Sequence, residues 1–140
     1  MSNVYGQNGA YRKTQVETAS PEALILMLYD GALRFMNQAE IAFEEKNLEQ
    51  ISNLLLRVQA IFAELMTALD KEQGGEIAVN LERLYVFFLE KLGEANVKKD
   101  IKPMLEIKPL IQNLRNTWEV AMQQNAPRPG VPRPRLNVAV

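Results

Sequence analysis

The stretch Ile51-Ser52-Asn53-Leu54-Leu55-Leu56-Arg57-Val58-Gln59-Ala60-Ile61-Phe62-Ala63-Glu64-Leu65-Met66-Thr67-Ala68-Leu69 decides the fold class. Its apolar residues Ile51, Leu54, Leu55, Val58, Ile61, Phe62, Leu65 and Leu69 step by three, one and four, which is the spacing of one face of an α-helix. Only one side is apolar, so this helix needs other helices to bury it. Downstream, Lys71-Glu72-Gln73-Gly74-Gly75 reads as its end, because glycine readily takes the left-handed conformation that terminates a helix. A third helix is predicted from Glu76, with Ile77, Leu81, Leu84, Tyr85, Phe88 and Leu92 on one face, and Gly93 to Asp100 reads as a connection.

Upstream, Ser20-Pro21-Glu22 predicts a helix start. The serine can accept from an orphaned first-turn amide, the proline is pre-set for the first helical position, and the glutamate favours the positive end of the dipole. Leu24, Leu28, Phe35, Ala39 and Ala42 carry this first helix to about Lys46-Asn47. A fourth helix holds Ile107, Leu110, Ile111, Leu114 and Trp118 on one stripe; Pro103 and Pro109 predict a late start or a kink near Pro109. The expected fold is all-α, an antiparallel four-helix bundle spanning residues 20–124. Residues 1–19, polar with Gly6 and Gly9, read as an extended N-terminal arm, and residues 125–140, with four prolines between positions 127 and 134, as a flexible C-terminal tail.

Composition narrows the function. The 140 residues contain no cysteine and no histidine, which removes thiol nucleophiles, thiolate metal sites and the commonest general base and transition-metal ligand. No catalytic residues, metal site or cofactor are expected, and the protein reads as a non-enzyme. A carboxylate-bridged dimetal bundle would need Glu-x-x-His pairs that this chain cannot supply. Sixteen basic against seventeen acidic side chains give a net charge of -1, without the basic excess that steers proteins onto nucleic acid. The longest uncharged apolar run, Ala23 to Tyr29, is too short to span a membrane, and the first ten residues lack a secretory pattern. A cytoplasmic location is the expectation.

Two helices carry more apolar surface than one buried face requires. At about 100° per residue, Val86 falls nearly opposite the Leu84–Phe88 stripe and Phe87 well to one side, while Leu26 and Leu33 lie behind the stripe of the first helix, with Tyr29 at its flank. Two readings stay open at this point: a filled core or homodimer seam, or a groove for amphipathic helices.

The order and spacing of several short blocks resemble the flagellin-specific export chaperones of bacterial flagellar type III secretion. The first block runs from Tyr11-Arg12-Lys13-Thr14-Gln15-Val16 through Thr18-Ala19-Ser20-Pro21 to Met27-Leu28-Tyr29-Asp30-Gly31-Ala32. The second is Gly74-Gly75-Glu76-Ile77-Ala78 with Asn80-Leu81 and Leu84-Tyr85, and the third is Ala95-Asn96 with Lys99-Asp100, followed by Leu114-Arg115 and Trp118. The similarity covers roughly residues 11 to 121. It implies a cytoplasmic bundle that binds the disordered C-terminal segment of flagellin, prevents premature polymerisation and aids delivery to the export gate. Other partners compatible with the same groove are an export-gate component or a flagellar regulator, which would make the protein an adapter. The residues alone leave open a monomer or a homodimer, and a structural subunit of the export apparatus.

Projection and block matching together nominate Tyr11, Val16, Leu26, Met27, Asp30, Gly31, Leu33, Ile77, Asn80, Leu84, Val86 and Phe87 as flagellin-binding residues. The resemblance implies that the arm bearing Tyr11 and Val16 packs over the groove. Gly31, inside a helix where glycine costs about 1 kcal/mol relative to alanine, marks close packing, either internal or with the client. Asn80 is equally readable as an ordinary contact between helices. Trp118 reads as core, as do Met27, Met36 and Met66, although flexible thioethers also suit an adaptable surface. Without the three tail arginines Arg128, Arg133 and Arg135, residues 1–125 carry a net charge of -4. The tail reads as solvated, the alternative being an extended recognition segment.

Overall fold

The computed structural model of the protein describes residues 19–124, which fold into α1 (Pro21–Glu44), α2 (Leu48–Thr67), α3 (Lys71–Lys98) and α4 (Lys102–Gln124). Among the described residues there is no strand. Local chemistry sets the starts. Ser20 Oγ accepts from the Ala23 amide at 3.2 Å, with Pro21 in the first helical position. Asn47 caps α2 by accepting from the Gln50 amide at 3.1 Å, and the Asp70 carboxylate accepts from the Glu72 and Gln73 amides, each at 3.1 Å. The connectors, residues 45–47, 68–70 and 99–101, are too short for a crossover, so successive helices run antiparallel. Each helix packs on two neighbours: α1 on α2 and α4, and α3 on α2 and α4. The bundle is therefore a closed ring.

Its centre is aromatic. Phe62 on α2 stands between Tyr29 on α1 and the α3 pair Tyr85 and Phe88, with ring centroids 6.5, 5.7 and 5.2 Å away. These tilted and edge-on pairings add to the area that the rings bury. Met36, Leu55, Val58, Leu92, Met104, Ile107 and Ile111 complete the filling, and no polar or charged residue is buried with them among the described residues. Below this core, Lys99, in the left-handed conformation, closes α3. Its Nζ donates to Ser52 Oγ and to the Asn96 carbonyl, both at 2.7 Å, tying the end of α3 to α2.

Four details correct the sequence reading. On α1 the core face is Ile25, Tyr29, Ala32, Leu33 and Met36, while Leu24, Leu28 and Phe35 are half-buried beside it. Tyr29 and Leu33 are thus centre, not flank and rear; large apolar residues on the core face and beside it leave the phase of α1 undefined by spacing alone. The α3 helix carries an additional segment from Lys71 ahead of the predicted start; Gly75, whose φ of 56° and ψ of -130° only glycine takes without strain, interrupts it, and the helix resumes at Glu76. It also continues to Lys98, since Gly93 packs near the Gln59 amide and tolerates the helix. Finally, α4 starts at Lys102 and runs through Pro109. Pro103 sits in the first turn, where its missing donor is not needed, and Pro109, which can offer no amide to the Leu105 carbonyl, is exposed, as is Leu105.

Candidate functional site

Where α3 and α4 lie side by side, their outer apolar residues do not fully cover one another. Leu84 and Phe88 of α3 and Leu110, Asn113, Leu114 and Thr117 of α4 line a cleft of about 220 Å³. The two helices are clamped at one end of the cleft by Lys91 and Glu106, 3.1 Å apart. Phe88 is fully buried and forms the floor; Leu84 and Leu114 are half-buried walls, and Leu110 is 41% exposed at the rim. No ionisable group lines this space, so the lining offers apolar contact, one amide and one hydroxyl. A partner's aliphatic side chain fully buried there would gain about 1.5–3 kcal/mol.

The nominated residues of α3 divide around this cleft. Ile77, Asn80, Leu84 and Phe87 step by three and four residues and fall on one strip of the helix beside α4. Ile77 is 56% exposed and Asn80 is exposed, extending the strip beyond the cleft. Phe87 is half-buried, its ring 6.1 Å from that of Phe88 and its centroid 5.6 Å from Lys91 Nζ. Val86 stands about 200° around the helix from Leu84, exposed on the opposite flank, and is not brought to the cleft.

On α1 the arrangement is different, because its junction with α4 is closed by polar clasps. Asp30 Oδ1 accepts from Arg115 Nε at 2.7 Å, Glu40 pairs with Lys108, and Arg115 also pairs with Glu119. Its hydrogen bond to the Asp30 carboxylate is the chief reason the Arg115 guanidinium is held above its ordinary pKa. Trp118 Nε1–H donates to the Glu22 carbonyl at 2.9 Å, fixing the other end of α4 to α1. Leu33 is buried, while Leu26 and Met27 are half-buried, Leu26 packed against the core. Gly31 is buried against α2: a Cβ there would lie 3.4 Å from Ile61 Cδ1, so its close approach is internal. The α1 group is therefore not brought together: Asp30 faces α4 through Arg115, Gly31 faces α2 and Leu33 lies in the core. Tyr11 and Val16 lie outside the described residues.

Sequence reasoning missed the α4 wall. Leu110 and Leu114 project onto the same stripe as Ile107, Ile111 and Trp118, so both were read as core; the available signal was the neighbouring Asn113 and Thr117, which place the edge of that stripe in water. Among the described residues no group of three or more carboxylates could hold a metal ion, and no helix is long and apolar enough to cross a membrane.

The chain is an all-α ring of four helices with an apolar cleft that no ionisable group lines. Residues 1–125 match the family model described as flagellar protein FliS. A flagellar secretion chaperone FliS of Campylobacter jejuni is 37% identical over 109 residues, covering 78% of this chain and 85% of that protein. The flagellar secretion chaperone FliSB of Pseudomonas aeruginosa is 35% identical over 76% of this chain and 85% of its own length, and the Bacillus subtilis FliS is 32% identical over 81% and 84%. The chain belongs to the FliS family, and these relatives are named as flagellar secretion chaperones.

Proposed function

We propose that the protein is a cytoplasmic flagellar export chaperone that takes the disordered C-terminal segment of flagellin into the α3/α4 cleft. The observation carrying this reading is the cleft itself: apolar along its length and open between two antiparallel helices. An amphipathic helix laid there would present anchors at i, i+3, i+4 and i+7 to Leu84, Leu110 and Leu114. Asn113 and Thr117 would meet its polar edge. A segment that orders only on binding loses conformational entropy, so a large contact remains compatible with moderate affinity and later release to the export gate. Occupying the segment needed for filament contacts blocks polymerisation by competition.

Calorimetric titration of the full chain with the C-terminal segment of flagellin from the same genome tests the reading. Saturable one-to-one binding with a negative heat-capacity change is expected, as apolar burial requires. Absence of binding by the folded protein would contradict it.

A further inference from the structure

The α3/α4 cleft does not stop at Leu114. It continues into a second hollow that shares Thr117 and also includes Asn116, Val120 and Gln124, all on α4. The hollow therefore runs to Gln124, the last described residue, after which residues 125–140 follow in sequence. Those residues are a basic, proline-rich spacer followed by Leu136-Asn137-Val138-Ala139-Val140. In an extended segment alternate side chains share one side, which groups Leu136, Val138 and Val140. Their chemistry matches a cleft lined by Leu84, Phe88, Leu110 and Leu114.

Reach and charge agree with this pairing. Leu110 lies fourteen residues before Gln124, about 21 Å back along α4 at 1.5 Å per residue. Leu136 lies twelve residues beyond Gln124, a contour of about 37 Å at the 3.1 Å rise of a proline-rich chain. The excess allows the chain to reverse before running back along α4. Arg128, Arg133 and Arg135 lie between the bundle and the apolar residues, and the remainder of the chain, residues 1–125, carries a net charge of -4. Opposite charge would favour an approach of the spacer to the bundle.

We propose that Leu136–Val140 seats in the α3/α4 cleft of the same chain when no client is bound. The seat itself stands on cleft, reach and charge; its consequence, that a client must displace it, rests on the function proposed above. Bound this way, the segment lowers apparent client affinity by the fraction of time it occupies the cleft, and shields apolar surface in the free protein.

Paramagnetic relaxation in the full chain tests the seat without any client. The chain has no cysteine, so Asn137→Cys gives a single attachment point for a nitroxide. The methyl signals of Leu84, Leu110 and Leu114 are expected to lose more than half their intensity relative to the reduced label, while those of Leu56, exposed on α2, keep theirs. Adding Leu136→Asp and Val138→Asp to the labelled chain should restore the cleft signals. Unbroadened Leu110 and Leu114 signals would overturn the proposal. So would broadening of equal size when the nitroxide sits only on a second, isotope-silent copy, since the occupant would then be another molecule. Neither outcome depends on whether flagellin binds.

Discussion

The hydroxyls of Tyr29 on α1 and Tyr85 on α3 lie 2.5 Å apart, joining two helices that face one another across the ring. Both side chains are buried, and the contact satisfies each hydroxyl in a core that otherwise contains only apolar groups. Removing one partner leaves the other desolvated and unpaired, at a cost of about 1–3 kcal/mol. Tyr29→Phe and Tyr85→Phe should each destabilise the bundle by that amount in urea unfolding. The double variant should lose clearly less than the sum. Strict additivity would show that the hydroxyls are not coupled.

Burial is also the main reason that both phenols are pushed above their ordinary pKa of 10.0, opposed at Tyr85 by the bond from Tyr29. A raised folded-state pKa contributes stability that is fully present below the unfolded value and is lost as pH rises past it. The protein should therefore be insensitive to these groups below about pH 9 and lose stability above about pH 10. Phenolate absorbance should show two tyrosines titrating only as the helical signal is lost. The double phenylalanine variant should show a shallower alkaline decline.

Two glycines should respond in opposite directions. At Gly31 a methyl group would meet the tips of two flexible side chains, Ile61 Cδ1 at 3.4 Å and Arg34 Nη2 at 3.8 Å, so Gly31→Ala should keep the fold and raise stability by up to about 1 kcal/mol through helix propensity. Gly31→Leu should lower it, because α2 is already in contact. At Gly75 nothing crowds the position, yet φ is 56° with ψ of -130°, so Gly75→Ala should cost about 1–3 kcal/mol from the backbone alone. Thermal unfolding of the three variants separates these causes.

The clasp between α1 and α4 should be weak, despite its geometry. Asp30 is nearly half-exposed, and exposed pairs contribute about 0–1 kcal/mol after solvent screening. Asp30→Asn should therefore shift stability by less than about 1 kcal/mol, less still in high salt. Trp118→Ala removes a buried indole and its bond to the Glu22 carbonyl, and should cost about 3–5 kcal/mol. If the two variants proved equal, the clasp rather than the indole would be holding α4.

The bundle was legible because α2 buries one clean stripe and because Ser20-Pro21 marks a helix start by capping chemistry alone. Phase on α1 was not: its apolar residues reach round both flanks, and the stripe through Leu24, Leu28 and Phe35, although it includes the buried Ala39 and Ala42, is rotated from the face that buries Ile25, Tyr29, Leu33 and Met36. Pro109 misled because its local cost, a lost bond and a ring clash, is outweighed here by the burial of Ile107, Ile111 and Trp118 on the same helix, which is a tertiary fact. Little of the candidate cleft was readable: of its lining only Leu84 was nominated from the sequence, while Ile77, Asn80 and Phe87 share its strip of α3 without lining the cleft. The α4 wall was not readable, because an apolar residue at the edge of a core stripe and one in the core have the same spacing. Only the packing of α3 against α4 separates Leu110 from Ile111.

The central claim is that the space between α3 and α4 receives the flagellin segment. Its most direct test compares calorimetric affinity for that segment in Leu110→Asp and Leu56→Asp variants, two exposed leucines on different helices, with folding checked by circular dichroism. A buried, unpaired carboxylate in the cleft should weaken binding by at least tenfold, corresponding to about 1.4 kcal/mol, while the same change on α2 should leave affinity within twofold. Equal affinities in the two variants, or a loss confined to Leu56→Asp, would contradict the placement of the client between α3 and α4.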